Sequence, residues 1–174
     1  MALAGLCACQ LMAARVELTL TFSDKREEKK TLEVAPDAQG VVTVIVKRSE
    51  LPAGVEWVSV LPEFAAAKRG EAGYYVTPDG YLGSFRLTNG VCTVAGPSTF
   101  YGRNFMPIFG MKNPRATFVG IVATMRFEYD LHVRAADGVY TIAPRFHVAG
   151  FVPPDDPVIH YQLLTGKDAD YAGM

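Results

Sequence analysis

At 174 residues, with 49% hydrophobic and 20% charged side chains, the chain has the size and make-up of one globular domain, which buries roughly 70% of its unfolded surface. Seventeen basic and eighteen acidic side chains leave a net charge of −1, and the basic residues are scattered apart from Lys25, Arg26, Lys29 and Lys30, which Glu27 and Glu28 largely cancel. This balance argues against nucleic acid as a partner, and no apolar run is long enough for a membrane span.

The first fourteen residues, MALAGLCACQLMAA, are small and apolar up to the first charge at Arg15. They read as a signal-like or disordered leader, which would make the protein secreted or cell-surface. A short N-terminal helix or a misassigned start is the competing reading. The β domain is expected over 15–166. VELTLTF at 16–22 alternates with period two, placing Val16, Leu18, Leu20 and Phe22 on one face and Glu17, Thr19 and Thr21 on the other. After the charged cluster, read as a hairpin tip or edge, TLEV at 31–34 alternates again. A Pro36–Gly40 turn leads into VVTVIV at 41–46, so three strands in one meander are expected.

Further strands are expected at 56–60, 73–76, 82–87, 91–94, 117–125, 127–133, 139–142, 145–148 and 158–163. They are divided by the turn strings Pro78-Asp79-Gly80, Thr88-Asn89-Gly90 and Ala136-Asp137-Gly138. Helical periodicity is confined to PEFAAAKRGEA from Pro62, a turn or two, and to 167–174, read as the start of a truncated helix or a linker. The fold class is therefore all-β: a two-sheet antiparallel supersandwich of about a dozen strands with little helix.

Cys7 and Cys9 lie in the leader and Cys92 in a strand-like run, so neither a disulfide framework nor a Cys-x-x-Cys metal site is indicated. No cofactor is expected. The richest segment is 71–111, where Tyr74, Tyr75, Tyr81, Phe100 and Tyr101 supply aromatic surface and Asp79, Arg103 and Asn104 supply polar groups. Sugar recognition needs that combination: flat rings for pyranose C–H faces and a few fixed hydrogen-bonding groups. Core and rim packing is the alternative use of the rings. The ligand-binding candidates are Tyr101, Arg103 and Asn104, with Asp79 and Tyr81 as neighbours, and carbohydrate is the expected partner.

Trp57, the sole tryptophan, lies opposite the face of Val58 and Val60 and is assigned to core packing. Asp155 and Asp156 sit among prolines and read as solvated linker carboxylates. The carboxylates Glu63, Glu71, Asp79, Glu128 and Asp130 could in principle contain the acid–base pair a glycosidase requires. His132, His147 and His160 lie in strand-like runs without a nucleophile motif, so no catalytic residue is assigned.

EAGYYVTPDGYLGSF, then FYGRNFMPIFGMKN and ATFVGIV, resemble the N-terminal β-sandwich of large bacterial proteins related to glycoside hydrolases, of the DUF5696 kind. The matching positions are Gly73, Tyr74, Pro78, Asp79 and Gly80, and Met106, Pro107, Phe109, Gly110 and Met111. The resemblance implies a galactose-mutarotase-like supersandwich that would precede a (β/α)₈ barrel, a barrel for which this chain leaves no room. It implies a non-catalytic accessory domain supporting a catalytic domain on its C-terminal side, in a parent protein that is a glycoside hydrolase. A free carbohydrate-binding module and a mutarotase-like epimerase are the alternatives.

Overall fold

The structure is a computed structural model that describes residues 13–78, 82–86, 90–95, 107–124, 129–149 and 155–174. Among these, the strands in the first half are β1 (Ala14–Phe22), β2 (Glu27–Val34), β3 (Val41–Ile45), β4 (Val55–Pro62), β5 (Ala66–Lys68), β6 (Tyr74–Val76) and β7 (Leu82–Gly83). The second half adds β8 (Gly90–Ala95), β9 (Ile108–Lys112), β10 (Thr117–Val122), β11 (Tyr129–Ala136), β12 (Val139–His147) and β13 (Val158–Leu164). Single 3₁₀ turns at Arg48–Glu50, Gly166–Asp168 and Tyr171–Gly173 are the helical content of the described residues.

The strands form two antiparallel sheets. The larger has seven strands in the order β2-β1-β4-β12-β11-β8, with β5 also paired to β12; the smaller has six in the order β3-β13-β10-β9-β6-β7. Period-two alternation aims one side of each sheet at a shared core. Leu18, Leu20, Val58, Val60, Leu131, Ile142 and Phe146 come from the larger sheet, and Val42, Val44, Phe109, Met111, Phe118, Ile159 and Tyr161 from the smaller. Phe118, Tyr161 and Phe109 meet edge to face with centroids 5.9–6.3 Å apart. Phe64, at the corner between β4 and β5, joins them at 5.1 Å from Phe118. Each such buried ring is worth about 1.5–3 kcal/mol from burial alone. Room for the cluster is made at Gly120, where a Cβ would stand 2.5 Å from the Phe109 ring.

The all-β class and the two-sheet arrangement agree with the sequence reading, while several elements differ from it. The three-strand meander does not form: β1 pairs β2, but β3 joins the other sheet beside β13. The chain crosses between layers at the Pro36–Gly40 turn, where Asp37 accepts from the Gln39 and Val41 amides, both at 2.9 Å. The charged cluster is both tip and edge: Lys25 and Arg26 form the turn of the β1–β2 hairpin, and from Glu27 onward it is the outer strand of the larger sheet, where charged side chains protect the edge from stray pairing.

The alanine-rich segment is strand β5 rather than helix, because pairing with β12 satisfies its backbone and buries Ala67 opposite Tyr140. The two strands expected at 139–142 and 145–148 are one, β12, with Pro144 inside it. Its neighbour there changes from β5, which faces residues 139–141, to β4, which faces 145–147. A missing amide hydrogen is tolerated where the ladder is already interrupted. Within the run at 82–87, Leu82–Gly83 is extended, Ser84 to Arg86 lie outside any strand, and Leu87 lies outside the described residues. At the C-terminus the expected helix is a pair of 3₁₀ turns.

Candidate functional site

Alternation that buries one side of a strand presents the other, and on the larger sheet the outward side chains are mostly polar. The Asp137–Gly138 loop sets the arrangement. Both residues have left-handed φ, 51° and 76°, as a two-residue type I′ hairpin requires, so Ala136 faces Val139 and the register runs back to Tyr129 opposite Phe146. His132 then lies opposite Ala143, and Asp130 opposite Arg145. On the other side of β12, Trp57 of β4 faces His147 and Ser59 faces Arg145. Strand β1 adds Thr21 beside Trp57 and Thr19 beside Ser59.

These rows enclose a hollow of about 470 Å³ on the outer face of the sheet. Hydroxyls come from Thr19, Thr21, Ser59 and Thr141, charged or basic groups from Glu17, Glu27, Lys29, His132, Arg134, Asp137 and Arg145, and apolar contact from Leu61, Ala136, Val139 and Ala143. Trp57 borders it, half-buried, with its ring 4.5 Å from the His147 ring and the Arg145 guanidinium 4.3 Å from its centroid. Its assignment to the core is therefore corrected. Alternation places Trp57 on the face opposite Val58 and Val60, and that face is the outer side of the sheet.

Acidic and basic groups stand on both sides of the hollow. Toward β2, Glu17 and Lys29 neutralise each other across 2.9 Å. Toward β11 and β12, neither Arg134 nor Arg145 is within ion-pair distance of a carboxylate among the described residues. Arg145 inclines to Trp57 although Asp130 is its register partner. Burial, and next the Arg145 charge, push the pKa of His132 below its ordinary value, against the opposing pull of Asp130. At neutral pH His132 is then an uncharged imidazole with one donor and one acceptor nitrogen, the pair of functions a sugar hydroxyl complements.

Tyr101, Arg103, Asn104, Asp79 and Tyr81, the candidates from sequence, lie outside the described residues, as do Phe100 and Glu128. The neighbouring motif positions inside them are scaffold. Tyr75, Phe109 and Met111 are core, Tyr74 donates to Asp170 at 2.5 Å, and at Gly73, with φ of 136°, a Cβ would stand 2.0 Å from the Lys112 carbonyl oxygen.

Among the carboxylates, Glu71 accepts the Lys68 amide at 2.7 Å and Glu63 the Arg15 amide at 3.3 Å. Asp156 is not a solvated linker group: half-buried, it accepts the Arg48 amide at 2.9 Å and holds the 3₁₀ turn there. His160 pairs with Thr43 on the smaller sheet at 2.9 Å. The hollow itself was missed, although YDLHVRAADGVYTIAPRFH contains its signal. A two-residue Asp-Gly loop fixes the hairpin register, and alternation then puts Asp130, His132, Arg134, Arg145 and His147 on one face.

No group of three or more potential metal ligands occurs among the described residues, and no helix among them is long and apolar enough to cross a membrane. Comparison with known protein families, with curated proteins and with solved structures finds no match.

Proposed function

We propose that this chain is a non-catalytic β-sandwich that binds carbohydrate in the hollow on its seven-stranded sheet and serves as the accessory domain of a glycoside-hydrolase-like protein. The observation behind the binding role is the composition of that hollow. Four hydroxyl side chains, a histidine and two arginines without carboxylate partners among the described residues line a volume of about 470 Å³, held by hydrogen-bonded strands, with Trp57 at the border. Polar groups at fixed spacing over small apolar patches complement a ring that alternates hydroxyls with C–H faces, and a rigid sheet adds little ordering cost on binding.

The accessory role draws on the resemblance of the 71–111 motifs and on the opposite face of the sandwich. There Ile45 and Ile121 stand exposed on the smaller sheet, apolar surface of the kind a neighbouring domain covers. An epimerase would need a histidine and a carboxylate converging on one sugar carbon. Of the carboxylates that line the hollow with His132, Glu17 stands three strand spacings away, about 14 Å, and is held by Lys29, Glu27 is one strand farther, and Asp137 is in the hairpin loop beyond β11.

Affinity electrophoresis against a panel of soluble polysaccharides tests the binding role. At least one polymer should retard the protein, and Ser59→Tyr, which fills the hollow from its middle, should abolish the retardation without lowering the melting temperature appreciably. Free migration through every polymer would sink the reading. Aryl glycosides incubated with the pure chain should release no phenol; release at enzyme-like rates would overturn the non-catalytic part.

A further inference from the structure

The charge layout of the hollow narrows its ligand. Resting on the carbohydrate reading above, we infer that the site selects an acidic polysaccharide, one with carboxylates repeated along the chain, whose anionic groups are received by Arg134 and Arg145 on either side of His132.

Each of these arginines has a carboxylate nearby in the fold. Asp130 is the register partner of Arg145, and Asp137 lines the same hollow as Arg134. Neither ion pair forms. Arg145 is held against Trp57 instead, 4.3 Å from the ring centroid. Stacking of that kind fixes the plane of a guanidinium and leaves its N–H edge free to take a carboxylate in bidentate fashion. Arg134 stands exposed on the same face of β11 as His132.

Spacing then sets the length of the ligand. Arg145 lies opposite Asp130, and Arg134 is four residues farther along β11, a rise of roughly 13 Å at the extended repeat. One carboxylate on one sugar ring does not engage both guanidinium groups in bidentate fashion across that distance. Two carboxylates on a chain do, with His132 between them offering hydrogen bonds to the intervening hydroxyls. Across the hollow Glu17 is neutralised by Lys29, and Glu27, which also lines it, stands on β2, three strand spacings or about 14 Å from β12, so discrimination falls to the β11–β12 side.

Binding of polygalacturonate, of monomeric galacturonate and of a neutral mannan to the full chain, measured by titration calorimetry at low and high salt, decides this. Polygalacturonate should bind at least tenfold more tightly than mannan and far more tightly than the monomer, with the advantage shrinking as salt screens the charges. In Arg134→Gln combined with Arg145→Gln, the acidic-to-neutral ratio should fall to about one. Arg134→Glu alone, at an exposed position that leaves the fold intact, should cut the ratio at least threefold. Equal binding of mannan and polygalacturonate, or a preference that survives the double substitution, overturns the inference while leaving carbohydrate binding in place. If neither polymer binds, the inference is overturned, while the polysaccharide panel above decides the carbohydrate reading separately.

Discussion

Asn113 concentrates more hydrogen bonding than any of its neighbours in the loop between β9 and β10. Its side-chain amide donates to the carbonyls of Phe64 and Ala66, both at 2.9 Å, and its oxygen accepts the amides of Arg115 and Ala116 at 2.9 and 3.0 Å. At 6% exposure one residue closes its own loop and pins the corner where the chain leaves β4 for β5. Asn113→Ala strands these partners in a dry environment and should cost about 2–4 kcal/mol, seen as a lower urea midpoint at unchanged slope. Tyr129 presents the reverse case. Its hydroxyl is buried with no hydrogen-bond partner among the described residues, and burial pushes its pKa up to about 12. Tyr129→Phe removes an unpaid desolvation and keeps the ring contact with Phe146 at 5.9 Å; it should leave stability unchanged or raise it by about 1 kcal/mol. A midpoint clearly below that of the parent protein would show that the hydroxyl has a partner after all. Neither role was legible from the chain. Asn113 reads as an ordinary turn residue in KNPR, and Tyr129 as one more alternating aromatic, because both depend on groups far away in sequence.

The C-terminal turns show how a short element without regular helix is held in place. Asp170 accepts from the Tyr74 hydroxyl at 2.5 Å and the Tyr171 amide at 2.8 Å, and lies 3.3 Å from the Lys112 ammonium. Met174 sulfur packs above Gly110, where a Cβ would come within 3.0 Å of it. The hydrogen bond from Tyr74, then that from Tyr171 and the contact with Lys112, hold the Asp170 carboxyl down at about 2, below its ordinary 3.8. A depressed carboxylate stabilises the folded form above its unfolded pKa, and the contribution is lost as pH falls through the folded value. The segment should therefore loosen as pH drops from about 4 toward about 2, read as faster amide exchange at 169–174 while the sheets stay protected. Tyr74 is pushed up to about 12, first by burial and then by Asp170. Its contribution persists below pH 10 and fades as pH rises toward 12. Asp170→Asn should remove the acid-side loosening and move one tyrosinate absorbance step to lower pH; an acid response identical in the variant would place the titration elsewhere. A helix near Ala169 was the expectation from sequence, and it fails because these turns are fixed by side chains on β6 and β9 rather than by local propensity. Hairpins, by contrast, were legible: the Asp137–Gly138 turn and the alternation beside it give β11 and β12 with their register.

Across the whole molecule, what the sequence conceals is pairing between distant strands. β3 joins β13 through Thr43 opposite His160, and β4 joins β12 through Ser59 opposite Arg145, and such pairs leave no local trace in composition or period. They also decide how the protein unfolds. Neither sheet has a core of its own: Tyr161 of the smaller sheet reaches the Val60 carbonyl of the larger at 3.4 Å, and Phe64 at the β4–β5 corner touches both Phe118 and Tyr161 of the smaller sheet at 5.1 and 5.7 Å. Separating the layers exposes the whole aromatic cluster at once, so the sandwich should unfold in one cooperative step, and slowly, since closure depends on contacts remote in sequence. Trp57 makes the test direct, because the single tryptophan reports the outer face of the larger sheet through Arg145 and His147, while near-ultraviolet dichroism of the buried tyrosines reports the interior. The two curves against urea should superimpose with one midpoint. A Trp57 transition that precedes the tyrosine signal would mean that the face with the hollow melts on its own, and the rigid platform on which sugar recognition depends would not exist.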